Sequence, residues 1–329
     1  HDTNSHDSGL WARGERTAIL GMGGIGKSRL VMQLAFCIRA GRDFLEWETN
    51  GENLRWLFFQ TENSVKRLQA DIPKMLASFT PDEQAAIRAG VFFHTLETDD
   101  DGIIYLDDSE HYQRVLAAIA ANTPDVVVWD PLRDCSYGDL NGDRDMSNVL
   151  RLITQATKRG NPKRTALVLH HATTGKAGIQ KVVGFDRSSF GRNSKALHGW
   201  ARAQINIAPA MPDDNSLLIV ASGKFNDGVE FSPFAIRLNP DTMMYGPDWT
   251  FDVDGWRDRI ENPSGSKGNR LDDDAVIDKL PTTGSIEKGA FIRQLNEAGM
   301  GGLKLIRKRL EELTSYTGPG HEWQVKRPG

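Results

Sequence analysis

The sequence predicts an α/β fold: a parallel sheet with helical crossovers, an antiparallel extension of that sheet, and a small C-terminal domain. Three observations carry this. From Thr17 to His170 short apolar runs alternate with amphipathic stretches, the pattern of strand–helix–strand units. From Gln204 onward the apolar runs are short and separated only by turn residues, too close together for crossover helices. Beyond "NPSGSKGNR" (Asn262–Arg270), a linker by composition, helical periodicity resumes and the chain ends on two short polar strands.

The elements follow in order. "TAIL" (Thr17–Leu20) is a buried strand, and a glycine-rich loop follows it directly. Leu30, Val31, Leu34, Ala35 and Ile38 then recur at helical spacing, with Gly41 placed to stop the helix. "LRWLFFQ" (Leu54–Gln60) and "VFFHTL" (Val91–Leu96) are the next strands. The helix His111–Asn122 leads into "VVVW" (Val126–Trp129), and the helix Met146–Arg159 leads into "TALVLH" (Thr165–His170). "QINIAP", "LLIVAS", "FAIRL" and "MMYG" read as an antiparallel extension. In the C-terminal part "DDDAVIDKL", "SIEKGAFIRQLNEAG" and "LKLIRKRLEEL" (Leu303–Leu313) read as helices, followed by a hairpin turning at Gly318–Gly320. Three helices and a hairpin are the winged-helix order. The expected organisation is thus a core over 1–261, a linker over 262–270 and a winged-helix-like domain over 271–329.

Composition narrows the class. Of 329 residues 39% are hydrophobic and 26% charged, a mix that folds as a globular protein. No apolar run is long enough to span a bilayer, so no membrane partner is expected. Cys37 and Cys135 are unclustered, which points away from a disulfide framework or a zinc site and toward a reducing, cytoplasmic setting. The formal net charge of −4 means that nucleic acid would be bound through local basic patches. The first residue is His1 rather than Met, so an upstream domain is expected.

The glycine-rich stretch "GMGGIGKS" (Gly21–Ser28) fits G-x-x-x-x-G-K-[ST] between a strand and an amphipathic helix. Gly21, Gly23, Gly24 and Gly26 let backbone amides approach phosphate oxygens, and Ile25 to Arg29 carry the chain into a helix whose positive end faces them. Lys27 is placed to reach the β- and γ-phosphates, and Ser28 to bind Mg²⁺, so ATP (or GTP) with Mg²⁺ is the expected ligand. Asp130 ends the strand "VVVW", where a carboxylate can orient a Mg²⁺ water. Glu62 follows the second strand and can align an attacking water. Of His170 and His171 at the end of "TALVLHH", strand alternation points one into the sheet's packing and the other at the cleft.

In order after the loop, "VVVWDPLRD", "LVLHHATTGKAG" and "GRNSKALHGWARAQINI" resemble the RepA-type hexameric replicative helicases of the RecA-like superfamily, over roughly residues 10–245. The resemblance implies a RecA-like core, with Glu62 as catalytic carboxylate, Asp130 as Walker B acid and His171 as the sensor of nucleotide state. It also implies Arg192 as an arginine finger reaching a neighbouring subunit's ATP, and Lys224 as a second basic residue beside it. An upstream primase-like domain would suit such a protein in plasmid, phage or mobile-element replication.

In rings of that kind two loops face the channel, here 133–145 and 173–191. The first is acidic on balance. The second carries Lys176, Lys181 and Arg187 and could follow the backbone of single-stranded DNA. Arg307 and Lys308 on the third C-terminal helix are candidates for DNA contact, although Glu311 and Glu312 share that helix. The alternative is a non-motor ATP-dependent switch or clamp, since NB-ARC switches also spell their loop "GMGGIGK". Those proteins usually place two acids after the apolar strand, whereas Asp130 here precedes Pro131.

Overall fold

The computed structural model of the chain describes residues 12–45, 47–49, 51–95, 104–173, 175–184, 186–191, 194–211, 214–261, 273–283, 285–298, 300, 306–307, 310, 315–317 and 324–326. The chain divides into two compact units, His1–Val253 and Asp254–Gly329. Composition places the end of the core at 261; the first compact unit ends at Val253, the first residue of the helix before the expected linker.

The first unit runs β1 (Arg16–Gly21), α1 (Lys27–Ala40), β2 (Trp56–Gln60), α2 (Val65–Leu76), α3 (Pro81–Gly90), β3 (Val91–Thr95), α4 (Ser109–Asn122) and β4 (Val126–Asp130). It continues through α5 (Asp143–Lys158), β5 (Thr165–His171), α6 (Lys176–Ile179), α7 (Ser194–Trp200), β6 (Ala203–Met211), β7 (Asp214–Phe225), β8 (Phe234–Asn239) and β9 (Met244–Pro247). These strands form one sheet in the order β3-β2-β4-β5-β1-β6-β7-β8-β9. Neighbours from β3 to β6 pair in parallel, and β7, β8 and β9 add on antiparallel. β5 is inserted between the loop-bearing β1 and the acid-bearing β4, in a largely parallel α/β core.

One strand departs from expectation. "QINIAP" lies in β6, which pairs in parallel with β1, so the antiparallel part begins one strand later. The reason is α7: a short helix after a long loop is enough chain to return to the start of the sheet. α2 and α3 have no counterpart among the expected elements. Ser64 caps the first by accepting from the Arg67 amide. The second opens on a full capping box between Thr80 and Glu83 with Pro81 in its first turn.

Strand alternation decides which side chains reach the site. Ile19, Trp56, Phe58, Val126, Val128, Leu167 and Leu169 share a face, where they pack with Leu30, Val31 and Phe36 of α1. Gln60, Asp130 and His171 continue that face by their even spacing. The opposite face takes Trp129, whose indole Nε1 donates to Thr157 Oγ1 of α5 at 3.2 Å. Among the described residues no helix is long and apolar enough to cross a membrane. Cys37 and Cys135 are free and buried, and burial pushes the Cys37 thiol up to about 12.

The second unit contains most of α8 (Val253–Glu261), then α9 (Asp273–Asp278), β10 (Ile286–Glu287), α10 (Lys288–Glu297), β11 (Ser315–Thr317) and β12 (Gln324–Lys326). The three short strands form a sheet in the order β10-β12-β11. Val276, Leu280, Phe291, Ile292, Leu295, Ile306 and Leu310 are its buried core. "SIEKGAF" begins as a strand rather than a helix, because Glu287 caps α10 by accepting from the Gly289 and Ala290 amides. Of the expected helix Leu303–Leu313, residues 306, 307 and 310 are helical and the others lie outside the described residues.

Candidate active site

The carboxyl ends of β2, β4, β5 and β1 converge on the loop between β1 and α1. That loop needs glycine for two distinct reasons. Gly26, the residue before α1, has φ 93°, and a Cβ there would collide with the Tyr245 hydroxyl. A Cβ on Gly21 would come within 2.8 Å of the Ile207 carbonyl oxygen on β6. Space is open above Gly24, so the amides of the turn can receive an anion at the positive end of α1.

Lys27, only 6% exposed, donates from Nζ to the Gly21 and Met22 carbonyl oxygens at 3.0 and 2.8 Å. Burial lowers the pKa of its ammonium, while the charges of Asp130 and Glu62 oppose that shift. Asp130 is 2% exposed, and burial pushes its carboxyl up to about 6. The Ser28 hydroxyl hydrogen-bonds this carboxylate, and the Gln60 amide donates to it at 3.1 Å. One hydroxyl and one carboxylate, side by side, suit Mg²⁺, which usually takes one or two protein oxygens and keeps several waters.

Glu62 lies just past β2. Its Oε1 is 3.0 Å from His171 Nε2 and 3.5 Å from an Arg133 guanidinium nitrogen. The His171 hydrogen bond holds its carboxyl below the usual range; burial opposes this, and the charges of His171, Lys27 and Arg133 assist. At neutral pH Glu62 is therefore a carboxylate, placed between the loop and the end of β5. Arg133 in turn pairs with Asp134 at 3.0 Å, and Asp134 accepts from Thr61 Oγ1 at 2.6 Å. The segments after β2 and β4 are thus tied together beside Glu62.

The structure separates the two histidines. His171 faces the loop and Glu62, whereas His170 is buried on the other face of the sheet. Arg29 pairs with Asp71 of α2 at 3.1 Å. Lys224 on β7 donates to the His198 carbonyl of α7 at 2.7 Å. Lys181 and Arg187 lie in the segment after β5, and Arg187 forms an ion pair with Glu230 at 2.7 Å. Lys176 opens α6, and Arg307 is an exposed helical residue of the second unit. Arg192 and Lys308 lie outside the described residues.

Sequence reasoning missed Arg133, Gln60 and Tyr245. Arg133 and Gln60 had a signal, since each lies within three residues of an expected site residue. Tyr245 had none. Its hydroxyl donates to the Ile25 carbonyl at 3.3 Å, and its backbone is clasped by Gln33 through bonds of 2.7 and 2.8 Å. A strand from the far end of the sheet thereby supports the phosphate loop.

A family described as AAA domain matches residues 2–177. No curated protein matches the chain. Among solved structures, the ATPase domain of the G40-P protein is similar at 12% identity and a TM-score of 0.49, over 72% of this chain and 85% of that one. A KaiC-like protein from the hyperthermophilic archaeon Pyrococcus horikoshii OT3 is similar at 12% identity and a TM-score of 0.47, over 72% and 90%. With its phosphate loop, buried acid and poised carboxylate at the carboxyl ends of a parallel sheet, the chain belongs to the AAA domain family and is an ATP-hydrolysing P-loop enzyme.

Proposed function

We propose that this enzyme is a ring-forming helicase-type motor that couples Mg²⁺-dependent ATP hydrolysis to movement along single-stranded DNA, in plasmid, phage or mobile-element replication. The observation that carries the proposal is the 3.0 Å contact between Glu62 and His171. It joins the carboxylate best placed to align water to the residue from which a basic loop departs. Ala172 bridges Gly191, and the Thr173 amide donates to the Phe190 carbonyl at 3.0 Å, so the loop is closed at its base directly beyond His171. His171 lies ten residues before Lys181 and sixteen before Arg187, at the base of the loop that carries both, so a shift at His171 would act on that base.

In this reading the amides of the loop and Lys27 hold the triphosphate, and Ser28 and Asp130 hold Mg²⁺. The ion supplies charge neutralisation for the phosphate oxygens. Glu62 orients the attacking water and accepts its proton. Its low pKa makes it a modest base, which suffices where phosphoryl transfer depends mainly on positioning and electrostatics. Arg192 completes the site from a neighbouring subunit, with Lys224 beside it. The small second unit would serve as a winged helix for DNA or a protein partner.

The test is strand displacement. With ATP and Mg²⁺ the enzyme should displace an annealed oligonucleotide from a tailed duplex, and the Glu62→Gln variant should not. Nucleotide turnover with no displacement on either a 5′ or a 3′ tail would favour a switch or clamp.

A further inference from the structure

We infer that Gln204 and Asn206 form a buried amide clamp that sets the conformation of the basic loop after β5 and links it to α7 and Lys224. The inference rests on the proposed function for its consequence, though not for its geometry. Both residues lie on β6 and are 0% exposed, among apolar neighbours such as Ile207 and Ala208. Amides in such a place are costly unless their polar atoms are bonded. Here the bonds go to the loop. Asn206 Nδ2 donates to the Val182 and Arg187 carbonyls, each at 3.1 Å. Gln204 Nε2 donates to the Arg187 carbonyl at 3.3 Å and to Asn206 Oδ1 at 2.9 Å. One pair of side chains therefore fixes both ends of the segment 182–187.

Two further features mark the clamp as built rather than incidental. The β6–β7 register shifts between Gln204 and Ile205, the kind of irregularity that re-aims a side chain. Opposite the amides stands Gly223, where a Cβ would lie 2.7 Å from Gln204 Nε2 and 2.8 Å from Asn206 Oδ1. The glycine leaves the volume that the amides fill.

The clamp also has an outward arm. Gln204 Oε1 meets His198 Nδ1 of α7 at 3.0 Å, and Lys224 Nζ donates to the His198 carbonyl at 2.7 Å. Lys224 and Arg192, which precedes α7 in sequence, are the groups assigned to a neighbour's ATP. Gln204 is then the junction between that interface and the DNA-facing loop, and Gln204 and Asn206 are positioning residues.

Two variants of the full-length chain test this: Asn206→Ala, which removes the loop's anchor, and Gly223→Ala, which pushes on the amides without deleting them. In each, amide hydrogen exchange across 182–190 should quicken while exchange in β1 and β4 stays as in the parent. The oligothymidylate concentration giving half-maximal ATPase stimulation should rise about tenfold, a loss of ~1.4 kcal/mol, with little change in the KM for ATP. Adding Lys181→Ala to Asn206→Ala should cost less than Lys181→Ala alone, since residues acting through one unit are not additive. Unchanged exchange across 182–190 in whichever variant folds overturns the clamp, whatever DNA does. Faster exchange in an enzyme that never responds to DNA keeps the clamp and sinks the DNA-binding role of the loop.

Discussion

Glu62 and His171 stand 109 residues apart in sequence and 3.0 Å apart in space, Oε1 to Nε2, over the end of the strand that carries Asp130. The contact makes Glu62 the carboxylate that can combine alignment of water with a link to the following loop. Glu62→Gln keeps the shape and loses the negative charge. Turnover should fall about 10²- to 10⁴-fold, the usual worth of a general base, while ATP affinity changes little. Steady-state kinetics and nucleotide titration check both halves.

Arg133 holds the same carboxylate from the other side, yet it is exposed. Arg133→Ala should leave the melting temperature nearly unchanged, because exposed pairs contribute roughly 0–1 kcal/mol, and should lower kcat more than it raises KM. A variant that loses ATP affinity and keeps kcat would show that Arg133 serves binding alone.

Asp130 is a stability–function conflict. Its carboxyl is pushed up to about 6 from the ordinary 3.8, so between those values the folded chain binds more protons than the unfolded one. Stability is therefore lost as pH rises from 3.8 through about 6, by an amount on the order of 3 kcal/mol. Asp130→Asn removes the buried charge and should raise the melting temperature at pH 7 to 8 without Mg²⁺, with the gain vanishing near pH 4. The same variant should be nearly inactive. In the parent enzyme, kcat/KM should fall as pH drops through about 6, and added Mg²⁺ should move that fall to lower pH.

Arg192 tests the ring. Arg192→Ala and Glu62→Gln chains should each be nearly inactive alone, yet mixing them should restore turnover where a Glu62→Gln chain lends its arginine to an intact Glu62. No recovery on mixing, or full activity from a strictly monomeric enzyme, would contradict a shared site.

Much of this was legible in the sequence because it is local. The loop Gly21–Ser28, Asp130 at the end of a valine run and Glu62 after a strand all follow from one-dimensional pattern. Two histidines in a row predict a division of labour, but assigning His171 to the cleft needs the face that α1 covers. Long-range polar ties leave no such trace. The Gln33–Tyr245 clasp spans 212 residues, and Gln204 and Asn206 look like ordinary interruptions in a strand until the loop carbonyls they hold are seen. The parallel placement of β6 was missed because α7 is too short to show helical periodicity.

A motor of this kind requires that ATP hydrolysis answer to single-stranded DNA. The direct measurement is steady-state ATPase of the full chain, titrated separately with oligothymidylate and with blunt duplex of equal length. Saturable stimulation by the single strand, weaker with duplex and abolished by His171→Ala, is the expected result. A rate indifferent to both nucleic acids, in an enzyme still disabled by Glu62→Gln, would leave an ATPase that is not this motor.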